Sequence, residues 1–312
     1  MSQRAPFFSV AMPAYDAAET IGRAIDSVLA QSFTDWELVV VDDGSSDRTA
    51  EIVRQYAGSD SRIKLIQQPN AGCGAARNTA VLGSSGTYIV RLDTDDALLP
   101  EYMEEMHRFI ESRPGHDIYS CNGYHLYPDG TSRLARPGAR YETEQSFTLE
   151  DMFSACHIFT IAVFSRELFD RVGGIRPDVY CEDLDFWLRA FSFGAATHRY
   201  LPMPLALYTV SEGQMTADVA RVHASRIGIY GDLLASGVLT DDQAALARAA
   251  IERTQQDDWI YHRRTAVRDT VARLLGRRAG DAVSRIMHAS SRVLRPLIAR
   301  IAPRARGCGG AR

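Results

Sequence analysis

The strongest constraint in this chain is an alternation within its first 122 residues. Short apolar runs that end on polar clusters are separated by segments of helical period. Ser9 to Met12 stops at Pro13-Ala14-Tyr15, Glu37 to Val41 ends in Asp42-Asp43-Gly44-Ser45-Ser46, and Tyr88 to Leu92 ends in Asp93-Thr94-Asp95-Asp96. Ile63 to Gln67 and Asp117 to Cys121 are further runs of strand length. Between them, Ile21, Ala24, Ile25, Val28 and Leu29 recur at the spacing of an amphipathic helix over 18–31, as do Ile52, Val53 and Tyr56 over 47–57. Ala75 to Leu82 reads as a short helix, and Pro100 opens another whose inner face is Met103, Met106 and Ile110.

Strands alternating with helices require crossovers, hence a mostly parallel sheet. Runs without polar alternation belong to a sheet covered on both faces. Ligands of such sheets bind beyond the carboxyl ends of the strands, and that is the edge where these polar clusters gather. After residue 122 the pattern loosens. Residues 123–147 read as turns and irregular strands, 149–172 as partly helical, and Glu182 to Phe193 as a helix with Leu184, Trp187, Leu188 and Phe191 on one face. From about residue 215 the chain reads as wholly helical.

Composition narrows the function classes. Of 312 residues, 46% are hydrophobic and 24% charged, as in an ordinary globular protein. The net charge of −4 is unevenly spread: from Tyr261 onward there are 13 Arg against only Asp269 and Asp281, so the preceding part is strongly acidic. That part is no general polyanion binder, and nucleic acid is expected at most for the basic tail. The cysteines, Cys73, Cys121, Cys156, Cys181 and Cys308, are odd in number and lack CxxC spacing, which speaks for reduced thiols in a cytoplasmic protein. No signal peptide or membrane-spanning run is expected.

Four constellations carry chemistry. Asp93-Thr94-Asp95-Asp96 sets carboxylates two residues apart at a strand end, where they can converge on Mg²⁺ or Mn²⁺ bridging to substrate phosphates; acidic loops are also commonly just solvated. Asp42 and Asp43 sit at a buried strand end, suited to accept bonds from a base N–H or a ribose hydroxyl, while Gly44 and the serines read as turn and helix cap. Asn70 to Asn78 offers glycines and Arg77 ahead of a helix, which suits a diphosphate or a plain connector. Glu182, Asp183 and Asp185 open an amphipathic helix, where acids complement the helix dipole or supply a general base.

Taken together these residues resemble the family 2 glycosyltransferases with the GT-A fold. The resemblance runs through Ser9-Val10-Ala11-Met12-Pro13-Ala14-Tyr15, Val28 to Phe33, Trp36 to Asp47, Asn70-Ala71-Gly72 with Ala76-Arg77-Asn78, Gly86 to Asp96, Val172-Gly173-Gly174-Ile175 and Glu182 to Arg189. It covers roughly residues 7–210. It implies an α/β, Rossmann-like central sheet, mostly parallel and flanked by helices, in a catalytic domain over 1–215. That domain would divide into a nucleotide-sugar half near 7–122 and an acceptor half near 123–215, followed by an all-helical basic extension over 216–312.

The resemblance also implies roles. Pro13 and Tyr15 would line the nucleobase site, with Tyr15 stacked on the base; Asp43, or Asp42, would bond the base. Arg77 would lie near the nucleotide, Asp93 and Thr94 near the ribose or donor sugar, and Asp95 on a divalent metal, Mn²⁺ or Mg²⁺. Asp183 would be the catalytic base, with Glu182 as the alternate. Relatives often carry Tyr-Arg and a His after the last core strand, where this chain has Leu207-Tyr208-Thr209-Val210, so no basic diphosphate contact is expected there.

The implied reaction is an inverting transfer from a nucleoside-diphosphate sugar, UDP favoured, to an acceptor hydroxyl on a saccharide or lipid-linked saccharide. Two other readings use the same acids: a sugar nucleotidyltransferase, which would need a glycine-rich, lysine-containing loop after the first strand, and a non-catalytic sugar-nucleotide binding module. Residues 283–306 form a basic amphipathic pattern broken near Pro296. It suits either an anionic membrane surface on the inner face of the cell membrane or packing on the catalytic domain or a second subunit of a homo-oligomer.

Overall fold

The computed structural model describes residues 4–211, 214 and 217–275. The chain divides into two units, Met1–Glu252 and Arg253–Arg312, and the fold and site that follow belong to the first. Its first half is β1 (Phe8–Ala14), α1 (Ile21–Leu29), β2 (Trp36–Asp42), α2 (Thr49–Ser59), β3 (Ile63–Gln67), α3 (Cys73–Leu82), β4 (Tyr88–Arg91), β5 (Ala97–Leu98) and α4 (Tyr102–Ser112). There follow β6 (Ile118–Leu126), β7 (Ser132–Leu134), α5 (Leu149–Ser154), β8 (Val163–Ser165), α6 (Arg166–Val172), α7 (Glu182–Ser192), β9 (His198–Thr209), α8 (Val219–Ala235) and α9 (Asp241–Leu275).

Among the described residues one sheet runs in the order β3-β2-β1-β4-β8-β6-β9-β5, with β7 on β6. The first four of these strands are parallel, as the crossovers require. The β6–β9 pair is also parallel, and β8 lies antiparallel between β4 and β6. Both faces are covered: along β2, Leu38 and Val40 enter the core with α1 and α4, while Val39 and Val41 enter the core shared by α3, α6 and α7. That second core also takes Ile229, Tyr230 and Leu233 of α8 and Ala247 and Ala250 of α9.

β1 does not stop at Pro13 but continues to Ala14, with Pro13 opposite Val41. Proline is tolerated because β4 pairs with β1 only as far as Ala11. Alternate residues of a parallel strand bond to the same neighbour, so the N–H that Pro13 lacks would point past the end of β4.

A buried carboxylate fixes the start of β4 and hence the acids at its far end. Ser9 donates to Glu37 at 2.7 Å, the Ser85 hydroxyl at 2.9 Å and Lys64 at 2.7 Å, and the Ser85 and Gly86 N–H groups also point at it. Gly86 admits no side chain, because a Cβ there would fall 2.5 Å from the Ser9 hydroxyl and 2.8 Å from its nitrogen. Burial raises the Glu37 carboxyl, but the Lys64 ammonium and the serine donors outweigh it and hold it at about 2, against an ordinary 4.5. The depressed value contributes about 3 kcal/mol, present above pH 4.5 and lost as pH falls toward 2. Glu37→Gln is expected to lower urea stability at pH 7 by about 2 kcal/mol, with the deficit narrowing below pH 4.5; a deficit independent of pH contradicts this.

Candidate active site

The loops after β1 and β2 are zipped together at the carboxyl edge. Asp16, in the left-handed region at φ 44, accepts from the Ser46 N–H at 2.7 Å. The Asp16, Ala17 and Ala18 N–H groups donate to Ser45, Thr49 and Asp47 at 3.0, 2.8 and 2.9 Å. This rigid seam lifts Tyr15 out of the protein, 55% exposed, while Pro13 is buried beneath it. An aromatic face held open beside a strand end is a stacking surface.

Asp42 and Asp43 turn inward. Asp42 accepts from the Ser45 N–H at 3.1 Å and from Gln67 at 2.9 Å. Asp43 accepts from Gln68 at 2.8 Å, the Ala71 N–H at 2.9 Å and the Gly72 N–H at 2.8 Å. The carboxylate expected at the base therefore also carries the glycine loop that leads into α3.

α3 is a docking device for the second half of the unit. Gly74 approaches the 176–177 backbone so closely that a Cβ would lie 3.0 Å from Pro177 Cα. Asn78 clamps Ile175, donating to its carbonyl at 2.7 Å and accepting from its N–H at 2.9 Å. Arg77, expected beside the nucleotide, is 1% exposed and spans two carboxylates, Asp93 after β4 and Glu182 at the start of α7. Arg91, also buried, reaches Glu182 at 3.4 Å and lies over the Trp187 ring. Two buried cations and two carboxylates thus tie the acid loop to α7.

The acid loop itself is a turn closed by the Asp96 N–H on the Asp93 carbonyl at 3.1 Å. Burial raises Asp93, but the Arg77 and Arg91 guanidiniums outweigh it and hold it below the usual range. Burial and the Asp93 charge push Asp95 up, and Asp96, fully buried, further still. Asp96 takes the Thr209 N–H on one oxygen at 2.9 Å, and its other oxygen has no protein partner. Thr94 is half-buried in the same turn. Arg23 of α1 brackets the loop, donating to the Asp95 carbonyl and to the Thr209 hydroxyl at 2.8 Å. Thus a guanidinium does reach the end of the last core strand, but it comes from a distant helix.

At α7 the acids divide. Asp185 is 1% exposed between Arg176 and Arg189 and is structural. Glu182 is held by Arg77 and Arg91. Asp183 is half-buried, makes no ion pair among the described residues, and its Oδ1 accepts from the Leu184 N–H at 2.7 Å. Glu182 borders a cavity of about 490 Å³ together with Gly72, Cys73, Tyr180 and Arg221.

Arg23, Arg91 and Asp96 were not singled out as site residues from sequence. A lone Arg in the apolar run of β4 is a signal that could have found Arg91. Arg23 lies on the solvated face of α1, and nothing local marks it. The burial of Arg77 has a direct test. Arg77→Met takes the cation from the half-buried Asp93 and leaves Glu182 with Arg91 alone, and is expected to cost about 3 kcal/mol in urea unfolding. A loss of nucleotide affinity at unchanged stability would instead make Arg77 a ligand contact.

The Glycosyl transferase family 2 model matches residues 9–173, from β1 to the end of α6. A hyaluronan synthase of Pasteurella multocida is 36% identical over 197 residues, covering 62% of this chain and 20% of that protein. The chain thus spans about a fifth of the length of this curated relative. S. aureus TarS 1-349, solved in complex with UDP-GlcNAc, superposes with a TM-score of 0.65 at 20% identity over 92% of this chain and 91% of that one. The mannosyltransferase PcManGT from Pyrobaculum calidifontis, in complex with GDP-Man and Mn²⁺, superposes at 0.58 with 19% identity over 93% and 87%. The fold is that of the GT-A glycosyltransferases, and the chain belongs to glycosyltransferase family 2.

Proposed function

We propose that this glycosyltransferase moves a sugar from a UDP-sugar to an acceptor hydroxyl with inversion, in the synthesis of a cell-surface polysaccharide or glycolipid. The observation that carries this reading is the Arg77 bridge, which sets the acid loop of the donor half against the start of α7, where Asp183 lies. The exposed Tyr15 ring supports base stacking, with Pro13 beneath it and Asp42 and Asp43 holding the neighbouring loops. The UDP-GlcNAc held by TarS and the synthases among the relatives support the donor and product classes. We further assign the donor to residues near 7–122 and the acceptor to residues near 123–215.

The acid loop fits a hard divalent cation. Asp95 is a carboxylate raised by burial and by its neighbour, and Asp96 keeps a buried oxygen without a partner. No cluster of three or more His, Cys, Asp or Glu side chains among the described residues makes a complete cage. Asp95 would therefore hold Mn²⁺ or Mg²⁺ with water and donor phosphate oxygens as the remaining ligands, as such ions commonly require. PcManGT was solved with Mn²⁺. Bound there, the ion would offset charge developing on the leaving diphosphate.

The chain's own residues do the rest. Asp183 takes the proton from the acceptor hydroxyl as that oxygen attacks the anomeric carbon. Glu182, already bound by two guanidiniums, acts through position, keeping the start of α7 tied through Arg77 to Asp93. Arg23 fixes the backbone of Asp95. The glycine-rich, lysine-containing loop that a nucleotidyltransferase would need does not follow β1. No helix among the described residues is long and apolar enough to cross a membrane, and the basic segment 283–306 lies outside the described residues.

Asp183→Asn is expected to keep UDP-sugar affinity within about twofold and to lower transfer by about 10²–10⁴-fold, read by calorimetry and UDP release. Full transfer by this variant removes Asp183 as the base. Chelation with EDTA is expected to abolish transfer and Mn²⁺ or Mg²⁺ to restore it; undiminished turnover in metal-free buffer contradicts the assignment of Asp95.

A further inference from the structure

The cavity beside Glu182 does not end there. A second cavity of about 290 Å³ adjoins it, bordered by Arg176, Gly228 and Asp232. The two share Asp178, Val179, Tyr180 and Arg221 as common wall. Across that wall the Arg221 guanidinium stacks on the Tyr180 ring, 4.1 Å from its centroid. Taken together the two cavities make a groove that leads from the start of α7 along α8.

We infer that this groove is an extended acceptor subsite that binds a neutral oligosaccharide, with the accepting end beside Glu182 at the start of α7 and the next sugar units between the 177–180 loop and α8. This rests on the glycosyl-transfer reading. The groove offers a flat stacked pair, the Arg221 plane on the Tyr180 ring, which suits the apolar face and the hydroxyl edge of a pyranose. Its charges leave no excess of cations. Glu182 faces Arg77, Asp232 pairs with Arg176 at 2.8 Å and Arg176 also binds Asp185, while the Arg221 guanidinium shares the lining with the acids Asp178 and Asp218. A polyanionic acceptor would find no surplus of positive charge. The end near α7 is bounded by Gly72 and Cys73, so the chain extends toward Gly228.

Gly228 gives a selective test. It lies within α8, and a Cβ there meets nothing within 4 Å. Gly228→Trp therefore fills the distal cavity from a helix position that accepts a side chain. A glycan array carrying neutral glucose and N-acetylglucosamine oligosaccharides and uronate-containing ones, each of graded length, is probed with the full chain in UDP and Mn²⁺. Retention of neutral glycans is expected to rise about tenfold from the shortest to the longer members. That rise is expected to flatten in Gly228→Trp and, as a second variant, in Arg221→Ala. Retention independent of length, retention of uronate glycans alone, no retention of neutral glycans, or a length dependence that survives both substitutions overturns the groove. Hydrolysis of the UDP-sugar by water, which needs no acceptor, is measured in the same preparations. Its absence beside length-dependent retention counts against glycosyl transfer and not against the groove.

Discussion

The arrangement of this site depends on one buried guanidinium. Arg77 enters from α3, takes Asp93 from the loop after β4, and takes Glu182 from the start of α7. Without it, the half-buried Asp93 would lose its ion pair and Glu182 would keep only Arg91, at a cost of a few kcal/mol. With it, the loop after β4 and the helix that carries Asp183 are held in one geometry. Arg91 beneath and the Asn78 clamp on Ile175 reinforce the same junction. Transfer between two bound substrates gains most from fixed alignment, and here alignment is built from ion pairs that the substrates need not supply.

The carboxyl edge follows from elementary rules. Apolar strands buried on both faces leave polar chemistry only at their ends, and the order of β3, β2, β1 and β4 places the ends bearing Tyr15, Asp43 and Asp95 side by side. The internal bonds of Asp42, Asp43 and Asp16 serve the same end, converting flexible turns into a fixed rim. Glu37 does for the start of β4 what Arg77 does for its finish.

Much of this was legible in sequence, for a physical reason: the first half repeats a strand–helix unit whose periods are unambiguous. β3 has the bounds that its apolar run predicts, and α1 and α2 differ only at their ends. The second half was harder to read because its elements are not periodic. β8 is three residues long, wedged antiparallel between β4 and β6 within a stretch that otherwise reads as helix. β6 runs on to Leu126 through residues that resemble a loop. Arg77 is the instructive case. An arginine after glycines suits a phosphate by local pattern, but its partners are 16 and 105 residues away, and only the fold brings them together. Asp183 and Glu182, adjacent in sequence, likewise separate only when the two arginines are seen to take one of them.

A single displacement at the anomeric carbon, with Asp183 as base on the acceptor side, is the central chemical claim. It is tested most directly by proton NMR of the product anomer. Starting from an α-linked UDP-sugar, the newly formed linkage is expected to be β from the first turnover. An α-linked product would require a second displacement or a different face of attack, and would contradict it.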